Sequence, residues 1–192
     1  MRKLNSILFS VIVVSFFACE TAVREKPINE YYDVENLIDK QSQLLTELQP
    51  KVEKSIEVDG KHETDTMKFD SLGWKNELEV FKLADINKPT LFDAYEATEE
   101  QTSDGKIWRY TTEKPSLGIE YLYVYFDNDS SVKKLEARYH ENNALYVSER
   151  NFEINFKKSE DYSVLDSYKI YGRQKMAMKD EVRFSIESEV VD

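Results

Sequence analysis

At 192 residues, with 41% hydrophobic side chains and twelve tyrosines, the chain is long enough to bury one core and short for two. Its 37 carboxylates against 26 lysines and arginines give a formal net charge of −11; nucleic-acid phosphate and anionic headgroups would repel such a chain, and with no basic cluster to offset this, nucleic-acid binding is discarded. The lone cysteine, Cys19, permits no disulfide within the monomer, so stability has to come from the core and the hydrogen-bonded sheet.

The chain opens on Met1, Arg2 and Lys3, followed by an apolar run from Leu4 to Ala18, the layout of a secretory signal peptide. That run is shorter than the roughly 20 apolar residues a membrane-spanning helix needs. Its end, Phe16-Phe17-Ala18-Cys19, resembles the lipobox of bacterial lipoproteins. Ala18 and Cys19 fit that pattern, whereas Phe16 and Phe17 stand where Leu and a small residue are commoner. The resemblance implies cleavage before Cys19, a diacylglyceryl group on its sulfur and an acyl chain such as palmitate on its new amino group. Two or three acyl chains, at ~0.8 kcal/mol per buried CH₂, anchor a protein firmly without help from the polypeptide. Glu20 rather than Asp after the cysteine favours, by the same resemblance, the outer membrane. The chain thus divides into a signal peptide over residues 1–18, a lipidated flexible tether over 19–30, poor in anything to bury, and a single domain over 31–192.

In that domain Val34, Leu37, Ile38, Gln41, Leu44, Leu45 and Leu48 recur at three- and four-residue spacing and predict a helix with one buried stripe, ended by Pro50. Val52, Ile56 and Val58, then Asp59-Gly60 and a polar alternation to Met67 and Phe69, predict a hairpin with a tight turn. Asp70 or Ser71 caps a second helix carrying Trp74, Leu78, Phe81 and Ala84 on one face and stopping near Asn87, before Pro89.

From there the period changes to two. Strands are expected over 90–98, 106–113, 118–127, 132–141, 144–157, 165–175 and 180–190, with turns at Asp104-Gly105, Asp127-Asn128-Asp129 and Asn142-Asn143. Links this short force neighbours to be antiparallel. The expected fold is α+β: an antiparallel meander of about seven strands, twisted or half-closed, with two amphipathic amino-terminal helices packed on it. The strand over 118–127 carries Ile119, Tyr121, Tyr123 and Tyr125 on one face and Leu122, Val124 and Phe126 on the other, so it is expected to be central and covered on both sides.

Signals for catalysis are thin. His62 and His140 fall in separate segments, and His140 shares the parity of Lys134, Glu136 and Arg138, a solvated strand face. No Gly-x-Ser-x-Gly turn is present, and serine without a histidine base lacks its usual activation. Asp127-Asn128-Asp129-Ser130-Ser131 resembles a calcium loop, but Val132 stands where that loop needs Gly and Arg138 where it needs Glu; a turn is expected instead. His62 and Glu63 point to opposite faces of a strand, so no metal site is expected, and no cofactor is implied. Acidic pairs such as Glu99-Glu100 carry little weight among 37 acids.

The most suggestive constellation is aromatic: Tyr121, Tyr123 and Tyr125, with Trp108, Tyr110 and Tyr139 on neighbouring strands. Their rings and polar tips suit a partner interface or a lined groove, and equally a sheet core with hydroxyls at its rim. The segments Trp74-Lys75-Asn76-Glu77-Leu78 and Asp85-Ile86-Asn87-Lys88-Pro89 resemble those of small envelope lipoproteins of Bacteroidota, a resemblance that implies no activity or site residues. The expected function is a membrane-anchored envelope lipoprotein, not an enzyme, that binds a protein or supports an assembly. The alternative is a periplasmic carrier holding a lipid or other apolar ligand between sheet and helices. A hydrolase comes third.

Overall fold

The computed structural model describes residues 30–159 and 162–191. The leader and the tether through residue 29, with its Cys19, lie outside the described residues.

Helix α1, Val34–Leu48, starts where the Asp33 side chain accepts from the Asn36 N–H at 2.9 Å and stops where Gln49 turns left-handed (φ 48°) ahead of Pro50, a cap at each end. Its buried stripe is Val34, Ile38, Gln41 and Leu45. Gln41 is polar because it has a partner. It accepts from the Leu165 N–H and donates to the Ser163 carbonyl, both at 2.8 Å, fastening α1 to a strand more than a hundred residues away.

The hairpin forms as expected from β1, Lys51–Val58, and β2, Lys61–Lys68. Asp59 and Gly60 both have positive φ (49° and 79°), as the tight turn of a two-residue hairpin demands. Helix α2, Ser71–Leu78, is capped by Asp70 on the Gly73 N–H at 2.7 Å. It does not run on to Asn87: beyond Leu78 the chain tightens into a 3₁₀ turn, Glu79–Ala84. The side chains of Asp85 and Asn87 are what draw it away. Asp85 accepts from the Glu35 N–H at 3.0 Å, an otherwise orphaned donor of the first turn of α1, and Asn87 accepts from the Tyr31 N–H at 2.9 Å while donating to the carbonyls of Tyr31 and Tyr32.

The strand expected over 90–98 is displaced. Pro89–Leu91 form a short 3₁₀ turn and Leu91 and Tyr95 are buried, clipped by the Tyr31 hydroxyl, which donates to the Leu91 carbonyl and accepts from the Tyr95 N–H. Strand β3 begins only at Glu96 and runs to Thr102. Then come β4, Gly105–Thr111, β5, Ile119–Phe126, β6, Val132–Asn142, β7, Tyr146–Ser159, β8, Tyr162–Met176, and β9, Glu181–Val191.

These strands form one antiparallel sheet of nine, in the order β2-β1-β9-β8-β7-β6-β5-β4-β3, where seven were expected. The difference is the hairpin. Rather than standing alone, β1 pairs with β9 from Lys51↔Val191 to Val58↔Phe184, and the turn locks the register, since the Asp59 N–H donates to the Arg183 carbonyl and its side chain accepts from the Arg183 N–H. The sheet is open, with β2 and β3 as its edges. Both are short, charged and exposed along nearly their whole length, which discourages pairing with another chain.

The helical layer covers one face. Trp74, Leu78 and Phe81 from above meet Leu122, Leu135, Phe152 and Ile154 from below, all essentially without exposure, and Phe81 stands edge-on to Phe152 and Tyr168 at 5.8 and 5.1 Å between ring centroids. Each such side chain contributes about 1.5–3 kcal/mol by leaving water. The other face carries no second layer among the described residues. Strand β5 is therefore neither central, being third from an edge, nor covered on both sides. Leu122, Val124 and Phe126 are buried under the helices, while Tyr121, Tyr123 and Tyr125 stand half-buried on the open face.

Candidate functional site: the open face of the sheet

Cross-strand pairing decides which of the aromatic residues meet. Tyr123 opposes Arg109 on β4 and Glu136 on β6; Tyr121 opposes Thr111 and Arg138; Tyr125 opposes Ile107 and Lys134. These rows continue outward to Asn151 and Tyr171 beside Arg138, and to Glu153 and Lys169 beside Glu136. Tyr121, Tyr123 and Tyr125 thus do share one face, together with Tyr171. Trp108, Tyr110 and Tyr139 do not. Trp108 and Tyr110 pair with Val124 and Leu122 and turn toward the helical layer. There Tyr110 packs edge-on to Tyr31 at 5.6 Å, and Trp108 packs against Phe126 at 4.7 Å and gives its indole N–H to Glu99 at 2.7 Å. Tyr139 has the parity of Leu135 and Ala137, packs at the margin of the core and donates its hydroxyl to Glu141.

On the open face the rings of Tyr121 and Tyr123 stack at 4.6 Å and 25°, and the Arg109 guanidinium lies 4.9 Å above the Tyr123 ring. Arg109 is held in turn by Glu100 at 2.7 Å. The Tyr125 hydroxyl donates to Glu136 at 2.6 Å, and the same carboxylate meets Lys134 at 2.5 Å. Burial opposes ionisation of Glu136, but the Lys134 ammonium and the Tyr125 hydroxyl outweigh it, and its carboxyl lies below the usual range. Burial first, and then the bond to Glu136, push the Tyr125 hydroxyl well above the ordinary phenol value.

Beyond the tyrosines the face becomes an ionic lattice. Arg138 meets Glu120 at 3.1 Å, and His140 lies 3.3 Å from the same glutamate; His140 shares the face of Arg138 as its parity indicated, but its ring is half-buried there, with Nε2 out of reach of solvent, and not solvated as expected. Arg173 joins Glu149 at 2.5 Å to Glu181 at 3.0 Å; the Arg173 guanidinium holds the Glu149 carboxyl below its usual range. Opposite charges in register across strands stabilise a sheet modestly, and here they also fix the side chains around the aromatic patch. The Tyr125 hydroxyl and the cations Arg109, Lys134, Arg138 and Arg173 each meet a glutamate, which orders the side chains around the stacked pair.

Asp127 forms a turn, its side chain accepting from the N–H groups of Asp129 and Ser131 at 2.9 and 2.8 Å. Among the described residues no three His, Cys, Asp or Glu side chains converge as a metal would require, and no helix is long and apolar enough to cross a membrane. Sequence reasoning left out Arg109, Arg138 and Tyr171. The alternation of Ile107, Arg109 and Thr111 against Lys106, Trp108 and Tyr110 carried a signal, but only pairing shows which set faces β5's tyrosines. No protein family, curated protein or solved structure matches the chain.

Proposed function

We propose that this chain is an envelope lipoprotein, anchored in the outer membrane through acyl chains on Cys19, whose folded body is a non-enzymatic module that binds another protein through the open face of its sheet. The observation that carries this reading is the stacked Tyr121–Tyr123 pair, with Tyr125 beside it, on a sheet face without a covering layer and framed by arginines. Tyrosine and arginine are enriched at protein interfaces: tyrosine offers large contact area at little entropic cost, and arginine a planar fork that pairs with carboxylates and stacks on rings. The opposite face supports the same reading, since the middle of the space between helices and sheet is filled by Trp74, Phe81 and Phe152.

The test is expression in a bacterium with labelled palmitate, comparing the native chain, Cys19→Ala and the double variant Tyr121→Ala/Tyr123→Ala. Label is expected on the native chain and the tyrosine variant and absent from Cys19→Ala. A protein that co-purifies with the native chain is expected to be lost from the tyrosine variant, which keeps its fold. Label persisting on Cys19→Ala overturns the anchor, and a partner retained by the tyrosine variant overturns the face.

A further inference from the structure

In an acidic chain every arginine has carboxylates to choose from, and four of the five described ones use them: Arg109, Arg138, Arg173 and Arg183 each meet a glutamate. Arg150 does not. It projects from β7 on the helix side of the sheet, its Nε is buried with no hydrogen-bond acceptor, and its nearest aromatic partner is the Tyr139 ring at 6.0 Å. A guanidinium has five donors and no acceptor, so leaving it half-buried and unpaired is costly unless something anionic completes it.

Arg150 lines one end of a half-open groove of about 300 Å³ between α2, the 3₁₀ turn after it and strands β7, β8 and β9. Gln174 lines the same end. Across the strand from Arg150 stands Gly172, where β7 and β8 approach so closely that a Cβ would fall 1.9 Å from the Glu149 carbonyl, and Phe184 follows on the strand beyond. The walls from there are Val80, Ile170, Phe184 and Ile186. Past them, on the same face and with no helix above, the apolar surface continues over Ile56, Val58 and Val182, each between 38% and 39% exposed. The far wall is electrically closed, since Lys54 and Glu77 pair with each other at 2.5 Å and Tyr168 gives its hydroxyl to that glutamate. The groove is therefore apolar through its middle, with Asn76 and the closed Lys54–Glu77 pair at one end and at the other Arg150, which makes no ion pair among the described residues and has the Glu141 carboxylate within electrostatic reach.

We infer that this groove holds a single-chain anionic amphiphile, a long-chain fatty carboxylate whose head pairs with Arg150 and whose tail lies along Val80, Ile170, Phe184 and Ile186. One arginine matches one carboxylate in bidentate geometry, and a monoanion suits a chain of net charge −11 better than a dianionic phosphate does. This site is on the opposite side of the sheet from the tyrosine face and does not depend on it.

The test is calorimetric titration of the full chain carrying Cys19→Ala, which removes any acyl group of its own, with dodecanoate, dodecyl phosphate, dodecanol and dodecyltrimethylammonium. One dodecanoate is expected to bind, at least about tenfold more tightly than the neutral or cationic amphiphile, and Arg150→Gln is expected to weaken it by about tenfold or more, the loss of a charge-assisted pair. Equal affinity for all four heads, or dodecanoate binding unchanged in a folded Arg150→Gln protein, overturns the site, as does no binding of dodecanoate. Preference for dodecyl phosphate overturns the carboxylate. The head-group series on the unsubstituted groove decides the matter even where Arg150→Gln fails to fold.

Discussion

Asp85 is buried, and its two oxygens accept from the N–H groups of Glu35 and Asn87. It caps one helix while ending another, and Asn87 beside it binds the backbone of the two residues that lead into α1. A pair of short polar side chains thus ties the entry of the domain to the helical layer. Asp85→Ala removes the acceptor of an orphaned helix donor and is expected to cost about 1–3 kcal/mol, read as a lowered urea midpoint with unchanged slope. An unchanged midpoint would mean water serves the Glu35 N–H equally well. Gln41 teaches the same lesson. It sits in the apolar stripe of α1, where periodicity alone marks it as buried, but its reason for being there, the backbone of Ser163 and Leu165, is invisible without the fold.

Among the elements, α1 and the hairpin were legible because their signals are local: apolar residues at helical spacing and Pro50 mark the helix, and Asp59-Gly60 marks the turn. What local signals do not carry is the docking of β1 on β9, a register set by residues over a hundred positions apart. The same limit split the aromatic constellation. Strand β5 is apolar or aromatic on both faces and β4 mixes apolar with cationic side chains on each, so parity groups Trp108 with Tyr110 but does not say that they oppose Val124 and Leu122 rather than the tyrosines. The elements of the open face also share an electrostatic fate. Arg183 and then Arg173 hold the Glu181 carboxyl below its usual range, and Lys169 does so for Glu187, as Arg173 does for Glu149. Carboxyls lowered in the folded state contribute stability that is fully present above their unfolded pKa of ~4.3 and lost as pH falls through the folded values. Relief of self-repulsion in so acidic a chain acts the other way at milder pH. The urea midpoint is accordingly expected to hold or rise slightly from pH 7 to about 5 and to fall below about 4.3. A midpoint still unchanged at pH 3 would remove the lattice from the account.

At the scale of the whole molecule, one sheet serves two sides. Helices fill the middle of one face and leave at its margin a groove with Arg150, while the other face stands open with its tyrosines ordered by a frame of ion pairs. The account's central claim is that this open face is where a partner protein docks. It is tested most directly by placing a photoreactive phenylalanine analogue, in the full chain in living cells, at Tyr123, at Tyr171 or at Leu72, which is 64% exposed on α2. The account predicts the same crosslinked protein from positions 123 and 171 and none from position 72. Crosslinks to that protein from position 72, or none from the two tyrosine positions, would contradict it.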